Sequence, residues 1–204
     1  MSTRTRVLDA AMAAIAQRGV GGTSLSAVAD DVGVTKAAVL YHFDSKADLV
    51  VGVVDAAIDE LEVELRGAVA TGERGWPAVE RLVRAAFSVA ARRPEVLGLL
   101  REVARQGPPV ATHLAQRLRP LLDDAERRLR IDMDDGLLRR RDPRVLLLTF
   151  HAMVVGVSTE TEVMRAVGVA PSVRSLVLAR TELLALLRDA LLPVPEPGIS
   201  ATGG

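Results

Sequence analysis

From Val7 onward the apolar residues Val7, Leu8, Ala11, Met12 and Ile15 fall on one face at helical spacing, and Gly19 directly after Arg18 is a natural stop. A glycine-rich link follows. Leu25, Val28, Ala29 and Val32 then recur at i, i+3, i+4 and i+7 behind Ser24, a good N-cap. Gly33 breaks this second helix, and Thr35 can cap a third that carries Lys36 to Tyr41. The pattern therefore predicts helix, tight turn and helix within about sixteen residues, the spacing of a helix-turn-helix. Ser45 and Asp48 form an S-x-x-D arrangement that opens a long helix running to about Arg66.

Beyond a glycine-rich loop from Gly67 to Pro77, breaks at Arg93-Pro94, Gly107-Pro108-Pro109, Asp142-Pro143 and Gly168 to Pro171 divide stretches of helical period. The two longest late helices, Pro143 to about Glu162 and Ser172 to Leu192, are apolar around most of their circumference, which calls for a partner helix. No strand-like alternation of convincing length occurs. The expected fold class is all-α with about nine helices. A DNA-binding domain with a helix-turn-helix is expected over residues 1–50, a helical ligand-binding and dimerisation domain over 51–192, and a flexible, proline- and glycine-rich tail over 193–204.

Composition narrows the function by exclusion. The 204 residues hold 26 lysines and arginines against 26 aspartates and glutamates, so DNA binding has to rest on local placement of charge rather than on a global positive field. Cysteine is absent, which removes disulfides, thiolate zinc sites and thiol nucleophiles. No G-x-S-x-G, H-E-x-x-H or phosphate-loop motif occurs, so the chain is not expected to be an enzyme, and no cofactor is implied. The N-terminus lacks the apolar core of a signal peptide, and the longest apolar run, Val145 to Val157, is too short to span a bilayer, so a cytoplasmic protein with no membrane partner is expected.

The run Val7-Leu8-Asp9-Ala10-Ala11, then Gly19, Thr23-Ser24-Leu25, Val28-Ala29, Gly33-Val34-Thr35-Lys36, Tyr41-His42-Phe43, Ser45-Lys46 and Leu49 resembles the TetR family of bacterial transcriptional regulators. The resemblance is close over the first quarter of the chain and extends to the rest only by helix pattern. It implies a homodimeric regulator, in most members a repressor, released from palindromic double-stranded DNA by a small-molecule effector. Position by position, it implies that Thr35, Lys36, Ala37 and Tyr41 read bases, while Ser24, Ser26, His42 and Lys46 contact the phosphate backbone. Leu40 stands where the family usually has a phosphate-contacting tyrosine, and Ser26 where a longer donor is common. Arg4 and Arg6 are placed to form an N-terminal arm that reaches an adjacent groove or phosphate.

For the remainder, the resemblance implies dimerisation through the last two long helices and a cavity for which Trp76, Phe87, His113, Phe150 and Met153 are candidate liners. Each of these residues has a plainer alternative as ordinary core, Tyr41 and His42 as a helix contact, and Lys36 and Lys46 as solvated lysines. A helical dimer that senses a small molecule without reading DNA also stays open. His113 and His151 lack a carboxylate at metal spacing, so no metal site is expected. Asp132, Asp134 and Asp135 before Gly136 read as a solvated turn, since the loop lacks the full ligand set of a calcium site.

Overall fold

Ten helices account for the secondary structure among the described residues of the computed structural model, which are 1–70 and 72–193 with the side chain of residue 69 left aside, and no strand occurs among them. The tail expected over 193–204 lies outside these residues apart from Pro193. In order the helices are α1 (Thr3–Arg18), α2 (Leu25–Val32), α3 (Lys36–Leu40), α4 (Lys46–Val69), α5 (Trp76–Arg92), α6 (Pro94–Ala104), α7 (Val110–Asp134), α8 (Pro143–Thr159), α9 (Thr161–Ala166) and α10 (Val173–Leu191).

Local chemistry sets most of the boundaries. Ser24, Thr35 and Ser45 each accept a hydrogen bond from the backbone N–H three residues on, which satisfies a helix-end donor that would otherwise be orphaned. At Ser45 the hydroxyl also donates to the Asp48 carboxylate at 2.7 Å. Gly33 closes α2 in the left-handed region at φ 72°, which costs a glycine little and turns the chain sharply into α3. Proline opens α5, α6 and α8 within their first two positions, where its missing N–H is no loss. The late helix expected to reach Glu162 stops at Thr159, and α9 starts two residues later. Glu160 between them takes φ −91° and ψ 60°, a break that neither glycine nor proline marks. This division accounts for ten helices where the pattern predicts about nine.

Two apolar cores organise the molecule. The first joins Val7, Met12 and Ile15 of α1 to Val28, Val39, Phe43, Leu49, Val53 and Ile58, and continues into Val96, Leu99 and Val103 of α6 and Leu114 of α7. The second gathers Val83 and Phe87 of α5 with Leu97, Met133, Leu138, Val154, Leu183, Leu187 and Leu191. The sequence boundary between residues 50 and 51 thus falls inside α4, a continuous helix whose first half belongs to the first core. α6 packs against α1 and lies between the N-terminal module and α7 and α8.

In the acidic cluster at the end of α7, Asp134 and Asp135 are exposed as a solvated turn requires, but Asp132 is not. Asp132 is buried, and its carboxylate accepts from the Gly75 N–H at 2.7 Å and from Arg74 Nε at 2.8 Å, while Arg74 also reaches Asp135 at 2.6 Å. Gly75 sits at φ 63°, with an added Cβ placed 3.2 Å from the Leu137 Cβ. The carboxylate therefore pins the entry of α5 to the end of α7.

Candidate nucleic-acid interface and sensor core

Helices α2 and α3 bury one side and leave the other bare. Val28, Ala29, Val32, Val39 and Phe43 face the first core, whereas Ser24, Ser26, Thr35, Lys36 and Ala37 are exposed and Tyr41 is 85% exposed. Tyr41 thus leaves an aromatic ring in water directly after α3, whose first residue is Lys36. His42 and Lys46 are half-buried at the rim of this face. The rings of Tyr41 and His42 meet edge to face at 5.1 Å, and Lys46 Nζ donates to the Gly21 carbonyl at 3.4 Å.

Ser24 and Thr35 use an oxygen lone pair for their caps, at 3.1 Å each, and this leaves the hydroxyl proton free to donate outward. Leu40, which replaces the family's usual tyrosine, is 38% exposed on the same face and brings apolar surface but no donor. Of the eight contact residues expected from the sequence, six are exposed and two, His42 and Lys46, are half-buried. Acidic neighbours are partly drawn off: Asp31 pairs with Arg18 at 3.4 Å, Asp9 with Arg93 at 3.5 Å, and Asp48 with Ser45.

Arg4 and Arg6 do not form an arm. Both lie within α1, where Arg6 donates to the Val32 carbonyl at 2.5 Å and the Arg4 guanidinium sits 5.3 Å from the centroid of the Phe43 ring. Arg6 satisfies a carbonyl at the end of α2 and Arg4 covers the aromatic base of the module. Their role is to hold α1 against the helix-turn-helix, a tertiary contact that no local spacing reveals.

The nominated cavity liners disperse. Trp76 packs half-buried against the second core, Phe87 is buried in it, and Phe150 edges a small apolar void of about 40 Å³ beside Leu146, Leu187 and Leu191. A second cavity of about 80 Å³ between α4, α5 and α7 shares Val79, Leu82 and Leu129 with the first. Met153 is 39% exposed and lines neither. His113 belongs to a polar lock between α4 and α7, where Asp55 meets the His113 Nε2 at 2.8 Å and accepts from Arg117 Nε at 2.8 Å, and Arg117 also reaches Asp59 at 2.6 Å. No group of three or more potential metal ligands occurs among the described residues. No helix there is long and apolar enough to cross a membrane.

Two features were missed by sequence reasoning. Glu102 of α6 accepts from the Val20 N–H at 3.4 Å, a link between the modules across 82 residues of chain. Arg180 of α10 has its Nε buried with no hydrogen-bond partner.

Comparison with known proteins agrees with this geometry. Residues 7–53 match the family of bacterial regulatory proteins, tetR family. The HTH-type transcriptional repressor KstR2 of Rhodococcus jostii is 32% identical over 84 residues, which are 41% of each chain, so the match spans about two-fifths of that relative's length. Among solved structures, AibR in complex with isovaleryl coenzyme A and operator DNA superposes with a TM-score of 0.77 at 21% identity, covering 91% of this chain and 98% of that one. FadR from Bacillus subtilis in complex with stearoyl-CoA gives 0.74 at 17% identity, covering 90% and 96%. At such identities these two structures speak for the fold alone, which they share over 91% and 90% of this chain. The family match thus covers the helix-turn-helix module, residues 7–53, where the chain is similar to the tetR family of bacterial regulatory proteins, and the helices beyond it share the fold of these solved structures.

Proposed function

We propose that the protein is a DNA-binding transcriptional regulator, a homodimer that represses from a palindromic operator and is released by a small-molecule effector. The observation that carries this reading is the bare face of α3, where Lys36 and the 85%-exposed Tyr41 project beside Thr35 and Ala37 while Val39 anchors the helix from behind. In the major groove these four residues would read base edges and thymine methyls, with Ser24, Ser26, His42 and Lys46 on the flanking phosphates. The DNA-binding domain is assigned to residues 1–50 and the effector and dimer domain to 51–192. That AibR has been seen with both an acyl coenzyme A and operator DNA supports a two-ligand mechanism here.

Dimerisation through α8 and α10 is supported by the apolar surface they leave in water: Val145, Leu148, Val173, Leu178 and Leu186 are each 58% to 67% exposed. Such a cluster on a monomer calls for a matching face. Release would follow from a shift in population: the Glu102 link and the α4–α7 lock tie the sensor helices to the α1–α2 connection and to α4, so an effector that favours another packing of α6 and α7 moves the two recognition helices out of register.

Titration of a fluorescent operator-length duplex across salt concentrations tests the DNA contact. The logarithm of the association constant should fall linearly with the logarithm of salt, and Lys46→Ala, which removes a phosphate contact, should reduce the slope by roughly one charge. An unchanged slope would remove Lys46 from the phosphate contacts.

A further inference from the structure

Leu176, Arg180, Leu183, Leu187 and Leu191 follow one another at steps of four, three, four and four residues, so they share a single stripe of α10. That stripe faces inward: Leu183, Leu187 and Leu191 are buried in the second core and Leu176 packs against it. Arg180, half-buried, is a charged residue set into this otherwise apolar stripe. Its Nε–H is closed off from solvent and has no acceptor, and no ion pair involves its guanidinium among the described residues. A buried donor on a charged group without a partner is rare in folded proteins and calls for an explanation, and an acidic ligand would supply the missing acceptor.

The same stripe leads to the cavities. Leu187 and Leu191 line the void of about 40 Å³, which shares Val79, Leu82 and Leu129 with the cavity of about 80 Å³ beyond. Arg180 precedes Leu187 by two turns of helix, or roughly 10 Å along the axis.

We propose that Arg180 is the anchor for the acidic group of the effector, and hence that the effector is an amphipathic anion, with a carboxylate or phosphate on the guanidinium and an apolar body running along α10 towards Leu187. This deepens the regulator reading and rests on it. The guanidinium offers a planar fork of donors that matches either anion, and apolar walls supply the rest of the binding surface. Leu183, one turn from Arg180 on the stripe, is the side chain that has to swing for the two ends to be occupied together.

The test uses octanoate, octyl phosphate and 1-octanol as probes, with binding to the full-length protein followed by the fluorescence of Trp76, the single tryptophan, and checked by calorimetry. The wild type should bind one or both anions about tenfold or more tightly than the alcohol of the same tail. Arg180→Met should abolish that preference while leaving dimerisation, helix content and DNA affinity intact, and Arg180→Lys should keep part of it. Equal binding of anion and alcohol by the wild type, no binding of any probe, or an Arg180→Met variant that keeps the preference would overturn the proposal, as would loss of the dimer in that variant, which would make Arg180 an interface residue. DNA affinity measured without probe on the same preparations separates these failures from failure of the regulator reading.

Discussion

Replacing Asp132 by alanine should destabilise the protein by an amount that can be worked from two bonds. The carboxylate is 7% exposed and accepts from the buried Gly75 N–H at 2.7 Å, so truncation leaves that donor without a partner and out of reach of water. An unsatisfied buried donor costs about 1–3 kcal/mol, and the lost bond was to a charged acceptor, which favours the upper half of that range. Arg74 adds little, because its side chain is 47% exposed and keeps Asp135 as a partner. Asp132→Ala should therefore cost about 2–3 kcal/mol, equivalent to a fall in Tm of about 4–12 °C for a chain of this size. Asp132→Asn retains an oxygen for the Gly75 N–H and should lose about half as much. Thermal and urea unfolding followed by circular dichroism at one fixed protein concentration gives the comparison, since dimerisation makes Tm concentration-dependent. An alanine variant within about 0.5 kcal/mol of wild type would refute the pinning role of the carboxylate.

Three further outcomes are expected. Gly52→Ala would place a Cβ 3.0 Å from Phe43 Cε1 and 3.3 Å from Leu8 Cδ2 in the fully packed first core, so a loss of about 1–3 kcal/mol is expected in the same unfolding assay. Hydrogen bonds from Arg144 and Arg130 hold the Glu126 carboxyl below the usual glutamate range; the folded state thus binds its proton less readily than the unfolded chain. The resulting stability is present above the ordinary glutamate pKa and is lost as pH falls through the lowered value, so Glu126→Gln should lower stability slightly at neutral pH and converge with the wild type in acid, which flattens the acid limb of the curve below about pH 5. Leu148→Glu, on a residue 67% exposed in the free chain, should convert a dimer to a monomer in sedimentation equilibrium while the monomer stays helical; a persistent dimer would move the interface away from α8.

The N-terminal module was legible in the sequence because its signals are local. Ser24, Gly33, Thr35 and Ser45 announce helix ends within a few residues of where they act, and the structure follows them closely. Contacts made by folding were not legible. Arg4 and Arg6 looked available to DNA until α1 packed onto the Val32 carbonyl and the Phe43 ring, and Asp132 looked solvated because Arg74 and Gly75 lie 58 and 57 residues away. Large side chains such as Trp76, Phe87 and Phe150 were correctly read as able to pack, but sequence cannot tell a core wall from a cavity wall, and Met153 lies outside both. Arg180 passed unnoticed because an arginine in a long helix ordinarily reaches water. Only the stripe it shares with three buried leucines marks it.

Selection of bound sequences from a random duplex library at moderate salt, with a Lys36→Ala/Tyr41→Ala variant carried in parallel, tests the reading of α3 as a recognition helix most directly. Enrichment of a palindrome with half-sites about one helical turn apart, absent from the variant, is the expected result. Recovery of no common sequence by the wild type, or of the same palindrome by the variant, would contradict it.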